Sequence, residues 1–132
     1  MTAHLTTTNA PVPRGPYVHA RLHGELVYVT GQIGRDSATG DFVPGGFTAE
    51  FQQAITNLEQ ILTELGSSLQ HVIKADVQFV DEDDLDDMNS IYAQRFSEPY
   101  PARTSYGVAF LWKGATVQIS CVATVARQDA TS

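Results

Sequence analysis

The chain has 132 residues, 42 % hydrophobic and 17 % charged, which suits one globular domain and leaves no room for two independent cores. Eight basic residues against fifteen acidic ones give a net charge of −7, the wrong sign for a phosphate backbone, so nucleic-acid binding is disfavoured. One cysteine, Cys121, excludes an intrachain disulfide and a cysteine zinc cage; with no apolar run of membrane length and no signal-peptide pattern, the expectation is a cytoplasmic protein without a membrane partner.

The ends read as loose tails around a core of residues 9–127 in a single domain spanning 1–132. Pro11 to Pro16 holds three prolines and a glycine, an extended approach rather than a ladder strand. Tyr17–Leu22 and Leu26–Gly31 are β-rich runs around His23-Gly24-Glu25, the pattern of a hairpin. After the glycine-rich loop Ser37–Gly46, Thr48 is the expected N-cap of a helix, with Glu50 in its first turn. Phe51, Ala54, Ile55, Leu58, Ile61, Leu62 and Leu65 form its apolar stripe, and Gly66 ends it.

Ile73, Ala75, Val77 and Phe79 alternate with polar residues, which predicts a strand. Six acids between Asp81 and Asp87 lack the spacing of a calcium loop and read as the solvated start of a second helix. Leu85, Met88, Ile91, Tyr92 and Phe96 are its stripe, ending before Pro99. Thr104–Phe110 and Thr116–Ala126 return to strand. In the last of these, Val117, Ile119, Cys121, Ala123 and Val125 share one face, and Gln118, Ser120, Val122 and Thr124 the other. The order β-β-α-β-α-β-β predicts an α+β sandwich, one mixed sheet with both helices on one face. The uncovered face is expected to meet another subunit.

Five local motifs stand in register: Gly15-Pro16-Tyr17, Val29-Thr30-Gly31-Gln32-Ile33, Asn57-Leu58, Asn89 with Tyr92, and Tyr100-Pro101-Ala102-Arg103. On these the chain resembles the RidA (YjgF) reactive-intermediate deaminase family from Asn9 to Arg127. The resemblance implies a chorismate-mutase-like homotrimer with ligand sites at subunit interfaces. It implies hydrolysis of imines and enamines such as 2-aminoacrylate to 2-keto acids and ammonia, with no cofactor and no metal.

Carried onto this sequence, the resemblance makes Arg103 the carboxylate anchor, a role that suits the two parallel donors of a guanidinium. Thr30 and Gly31 match the hydroxyl-plus-glycine pair of the pocket, Tyr17 its aromatic wall, and Asn89 the asparagine of the second helix. Two positions depart from the family pattern. Ser120 stands where the deaminases carry a water-activating glutamate, and a serine without a base beside it accepts no proton near neutral pH. Ser105 stands where a cysteine is common. From Pro99 to Gln128 there is no Asp or Glu to substitute. His19, on the strand face of Tyr17 by period two, is a candidate replacement base. His4, His23 and His71 show no ligand spacing. The leading expectation is an imine deaminase; a non-catalytic binder of small carboxylates is the alternative, and a ribonuclease is disfavoured by charge.

Overall fold

Val117, Ile119, Cys121 and Ala123 are buried, whereas Gln118, Ser120, Val122 and Thr124 are partly exposed. The final strand therefore has one face on the core and one face outside it. The structure, a computed structural model, describes residues 2–125. Its elements are β1 (Thr2–Leu5), β2 (Ala20–His23), β3 (Leu26–Gln32), α1 (Gly46–Glu64), β4 (Val72–Phe79), α2 (Leu85–Arg95), β5 (Ala102–Gly107) and β6 (Val117–Thr124). The six strands form one sheet in the order β1-β2-β3-β6-β4-β5, antiparallel except for the β4–β5 pair. This is the expected α+β architecture, a mixed sheet with both helices on one side.

The stripe of α1 drives the packing. Phe51, Ala54, Ile55, Leu58, Ile61 and Leu62 are fully buried at helical spacing, and the helix lies across β6 and β3. The α2 helix adds Met88, Ile91 and Tyr92 to the core and is tied to α1 by Arg95, whose Nη1 donates to the carbonyl and Oε1 of Gln52 at 3.1 and 2.7 Å. No helix of the described residues is long and apolar enough to cross a membrane.

Several boundaries differ from the sequence expectation, each for a physical reason. The N-terminal stretch, expected to be loose, contributes β1, which pairs with β2 from Thr2–His23 to Leu5–Ala20; four residues are too few to show a periodicity. The first hairpin strand starts at Ala20 rather than Tyr17, and its turn is the two residues Gly24 and Glu25, with Gly24 at φ +62°. Helix α1 starts at Gly46, so Thr48 is inside the first turn and caps nothing. Glu50 is not a solvated first-turn acid: it is buried and accepts from the N–H and hydroxyl of Thr116, both at 2.9 Å. Strand β5 spans Ala102–Gly107 instead of Thr104–Phe110, because it pairs with β4, which ends at Phe79 opposite Gly107. Ala126 and the C-terminal tail lie outside the described residues.

Burial pushes the Cys121 thiol up to about 12, far above the ordinary value of about 8.5. Native protein held near that ordinary value is therefore expected to resist iodoacetamide, and urea-unfolded protein to alkylate at once. Intact-mass measurement of both samples checks this.

Candidate functional site

The register between β3 and β6 breaks at one place. Val29 faces Cys121 and Gln32 faces Ile119, so Thr30 and Gly31 together oppose Ser120 in a bulge. A Cβ on Gly31 would fall 2.6 Å from Gln118 Cδ, so the missing side chain is what allows Gln118 to lie against the bulge. Gln118 Nε2 donates to Gln78 Oε1 at 2.8 Å, and Gln78 Nε2 donates to the Tyr106 hydroxyl at 3.0 Å. This ladder crosses β6, β4 and β5 on the face away from the helices. Gln118 keeps further donor and acceptor capacity for a ligand or a water.

Beside the bulge is a cleft of about 150 Å³, bordered by the proline segment, Tyr17, Gly31, Gln118, Arg35 and Trp112. Tyr17 is 48 % exposed, and its hydroxyl accepts from the Arg14 N–H at 3.3 Å. It also borders a shallower concavity on its other side, which contains Thr30 and Tyr28. The loop after β3 is pinned by buried Asn57, whose Nδ2 donates to the carbonyls of Ile33 and Arg35 at 3.1 and 2.9 Å.

Arg103 belongs to a second group at the opposite edge of the sheet. Its register partner is Ala75, on the helix side of the sheet. The guanidinium lies 4.6 Å over the Tyr92 ring and Nη2 donates to Asn89 Oδ1 at 2.6 Å. Burial pushes the Tyr92 hydroxyl up to about 12, against the pull of Arg103, so this ring is a neutral floor. Among the described residues no carboxylate is ion-paired with Arg103. Ser105 Oγ and the Tyr92 hydroxyl are both buried without a hydrogen-bond partner. One chain thus assembles Arg103 with Asn89 and Tyr17 with Gly31, but keeps the two groups on opposite faces, with β4 and β6 between their strands.

Two sequence expectations change with the tertiary structure. His19 borders the cleft with Tyr17, as expected, but it is 1 % exposed; its Nδ1 accepts from the Thr7 N–H at 3.0 Å and its Nε2 donates to the Pro11 carbonyl at 2.7 Å. Both ring nitrogens are committed to backbone, so this histidine fixes the segment from Thr7 to Pro11 and has no lone pair free to take a proton. Ser120 stands opposite the bulge and in register with Asp76, while the β6 side chain that borders the cleft is Gln118. Alternation places Gln118 and Ser120 on one face, and that signal could have identified Gln118. Asp76, paired with Lys74 at 2.6 Å, brings to Ser120's row the carboxylate that the local sequence lacks. It arrives from β4, which no local spacing reveals.

The family model described as Endoribonuclease L-PSP matches residues 7–125. The chain is 41 % identical over 119 residues to the 2-iminobutanoate/2-iminopropanoate deaminase of Bos taurus, covering 90 % of this chain and 87 % of that one. Among solved structures it resembles RidA from the Antarctic bacterium Psychrobacter, with a TM-score of 0.90 and 35 % identity over 93 % of this chain and 99 % of that one. It also resembles E. coli TdcF with bound serine, with a TM-score of 0.87 and 28 % identity over 94 % and 99 %.

Replacing His19 by Ala strands two buried backbone groups and is expected to cost roughly 2–4 kcal/mol. Urea unfolding of the variant measures that loss. Turnover per folded molecule should be unchanged, whereas a catalytic histidine would lose rate at unchanged stability.

Proposed function

Because the chain belongs to the endoribonuclease L-PSP family, which includes the RidA (YjgF) imine deaminases, we propose that it hydrolyses 2-imino and 2-enamino acids to 2-keto acids and ammonia. The observation that carries this reading is Arg103, a cation held by an amide oxygen and a ring face instead of a carboxylate. Its fork stays available for the carboxylate of a substrate. E. coli TdcF, similar in fold, has been solved with bound serine, a small amino acid with such a carboxylate.

In this reading a second copy of the chain brings its Tyr17, Thr30, Gly31 and Gln118 to the Arg103, Asn89 and Ser105 of the first, in a cyclic homotrimer. The sheet face away from the helices carries exposed Tyr28 and Tyr106 beside the polar ladder, a surface suited to burial between copies.

The chemistry needs little from the protein. An enamine first takes a proton from solvent at C3 and becomes the imine. Water adds to C2 of the protonated imine, the C=N π pair moves to nitrogen, and the added water gives one proton to solvent. The amino group takes a proton from solvent and leaves as ammonia when the C–N bond breaks, while the remaining hydroxyl gives its proton to solvent and becomes the keto oxygen. Arg103 fixes the carboxylate, and the Gln118 amide with the Thr30 hydroxyl orients the water. Orientation of this kind supplies several kcal/mol, against a loss of roughly 10²–10⁴-fold for a missing general base. The ribonuclease named in the family's description is not adopted, since a net charge of −7 offers no track for a polyanion. A binder without turnover is the second reading, favoured by the amide Gln118 and the alcohol Ser120 at the bulge. Ammonia release from freshly generated 2-iminopropanoate decides between it and the deaminase.

Arg103→Lys is expected to weaken binding of 2-oxobutanoate although the charge is kept, and Arg103→Ala to cost roughly 2–5 kcal/mol if the pair is desolvated. Calorimetry on both variants reads this; unchanged affinity would make Arg103 structural. Gln118→Glu should raise kcat more than Ser120→Glu, because position 118 borders the cleft, while KM rises for both from the added negative charge. Light scattering at micromolar concentration should find a trimer, and a stable monomer would end the shared-site reading.

A further inference from the structure

Three of the eight basic side chains, Arg14, Arg35 and Lys113, gather around the single tryptophan, Trp112, in a protein of net charge −7. Arg35 is 5 % exposed and its guanidinium lies 5.2 Å over the Trp112 ring. Nε donates to the Gly40 carbonyl at 2.9 Å and Nη1 to the Val12 carbonyl at 3.2 Å, but Nη2 is buried with no partner. Arg14 closes the space from outside: a Cβ built on Gly40 would be 3.3 Å from Arg35 Nη2 and 3.5 Å from Arg14 Nη2.

Two guanidinium groups therefore approach one point with no bonded carboxylate between them. Neither takes part in the ion pairs Lys74–Asp76 and Arg95–Glu59. Asp36 is turned to the N–H groups of Ala38 and Thr39, and Asp41, the acid whose field reaches Arg35, is exposed. Burial first, then the charge of Arg14, holds Arg35 below the usual arginine range, with Tyr17 and Asp41 acting the other way. A buried cation left without a counter-ion is costly. A structural strut would need only the two carbonyl contacts, which leave Nη2 unexplained.

We propose that Arg35 and Arg14 hold the distal carboxylate of the substrate, so that the preferred substrates are 2-imino acids whose side chain ends in a second carboxylate. The inference rests on the deaminase reading above, in which Arg103 of a neighbouring copy takes the first carboxylate. The residues given there to the substrate, Tyr17, Gly31 and Gln118, border the same cleft as Arg35 and Arg14, and Gly40, over which the two guanidinium groups meet, borders the adjoining concavity that shares Arg14 and Trp112 with it. A cleft of about 150 Å³ accepts a side chain of a few atoms. The exposed Arg14 swings aside to admit the carboxylate and closes on it, which brings the anion to Nη2. Local charge then overrides the net charge of the molecule.

Calorimetric titration with 2-oxoglutarate and with 2-oxobutanoate tests the proposal on the intact protein. The wild type should bind 2-oxoglutarate at least about tenfold more tightly. Arg35→Met and Arg14→Ala should each abolish that ratio, and Arg103→Ala should weaken both ligands while keeping it. Equal affinities in the wild type would overturn the proposal, as they would if a carboxylate of the second copy already occupied the pocket. A ratio unchanged in Arg14→Ala would overturn it too. That variant alters an exposed side chain and decides the matter if Arg35→Met does not fold. Turnover of freshly generated 2-iminopropanoate and 2-iminoglutarate in the same preparations separates the two readings: turnover of either without the ratio sinks the pocket alone, and the ratio without turnover of either sinks the deaminase and leaves only a dicarboxylate-binding pocket.

Discussion

Strand β6 is hydrogen-bonded to β3 on one side and to β4 on the other, and without it the sheet would separate into β1-β2-β3 and β4-β5. Filling that central slot with the last of the described elements commits the rest. Its inner residues, Val117 to Ala123, receive the stripe of α1. Its ends are fastened to the helix layer as well, where Glu50 accepts from Thr116 and the Ser67 hydroxyl donates to the Thr124 carbonyl at 2.8 Å. These ties hold the strand in one register, and a slip of one residue would exchange its core and outer faces. The same register sets Gln118 between the Gly31 bulge and Gln78.

Around this frame the protein holds two arginines in different ways, and the contrast bears on function. Arg103 rests on a neutral ring and an amide oxygen at one sheet edge. Arg35 is buried under Trp112 and tied to two carbonyls. Neither is neutralised by a carboxylate among the described residues, although acids outnumber bases fifteen to eight in the chain. Six of those acids form the run from Asp81 to Asp87 around the start of α2, and none of them is ion-paired with either arginine. Segregating the charges lets an acidic protein present local positive sites to small anions.

The groups near the bulge are polar but weakly basic. Gln118 and Thr30 have no proton affinity to speak of near neutral pH, the His19 nitrogens are bonded to backbone, and Asp76 is engaged by Lys74. Such groups can orient water without providing a strong base. Under the proposed function that suits the hydrolysis of an imine, an electrophile that already reacts with water, and would not suit an amide.

Much of this was legible in the chain itself. The stripe from Phe51 to Leu62, the alternation from Val117 to Ala123 and the stops at Gly66 and Pro99 are local patterns, set by helix and strand periods and by backbone restrictions that act over a few residues. They suffice for two helices, most of the strands and the layer order, and the motif around Arg103 singled that residue out as the expected carboxylate anchor. What they could not contain is any relation between distant segments. That β6 enters between β3 and β4, that Asp76 arrives beside Ser120, that Thr7 and Pro11 take both nitrogens of His19, and that Arg14 meets Arg35 over Gly40 are all products of packing. A histidine on a strand looks the same in sequence whether its ring faces substrate or backbone. Only the folded chain decides, because burial and hydrogen-bond partners are properties of the space a side chain occupies, and that space is built by residues far away along the chain.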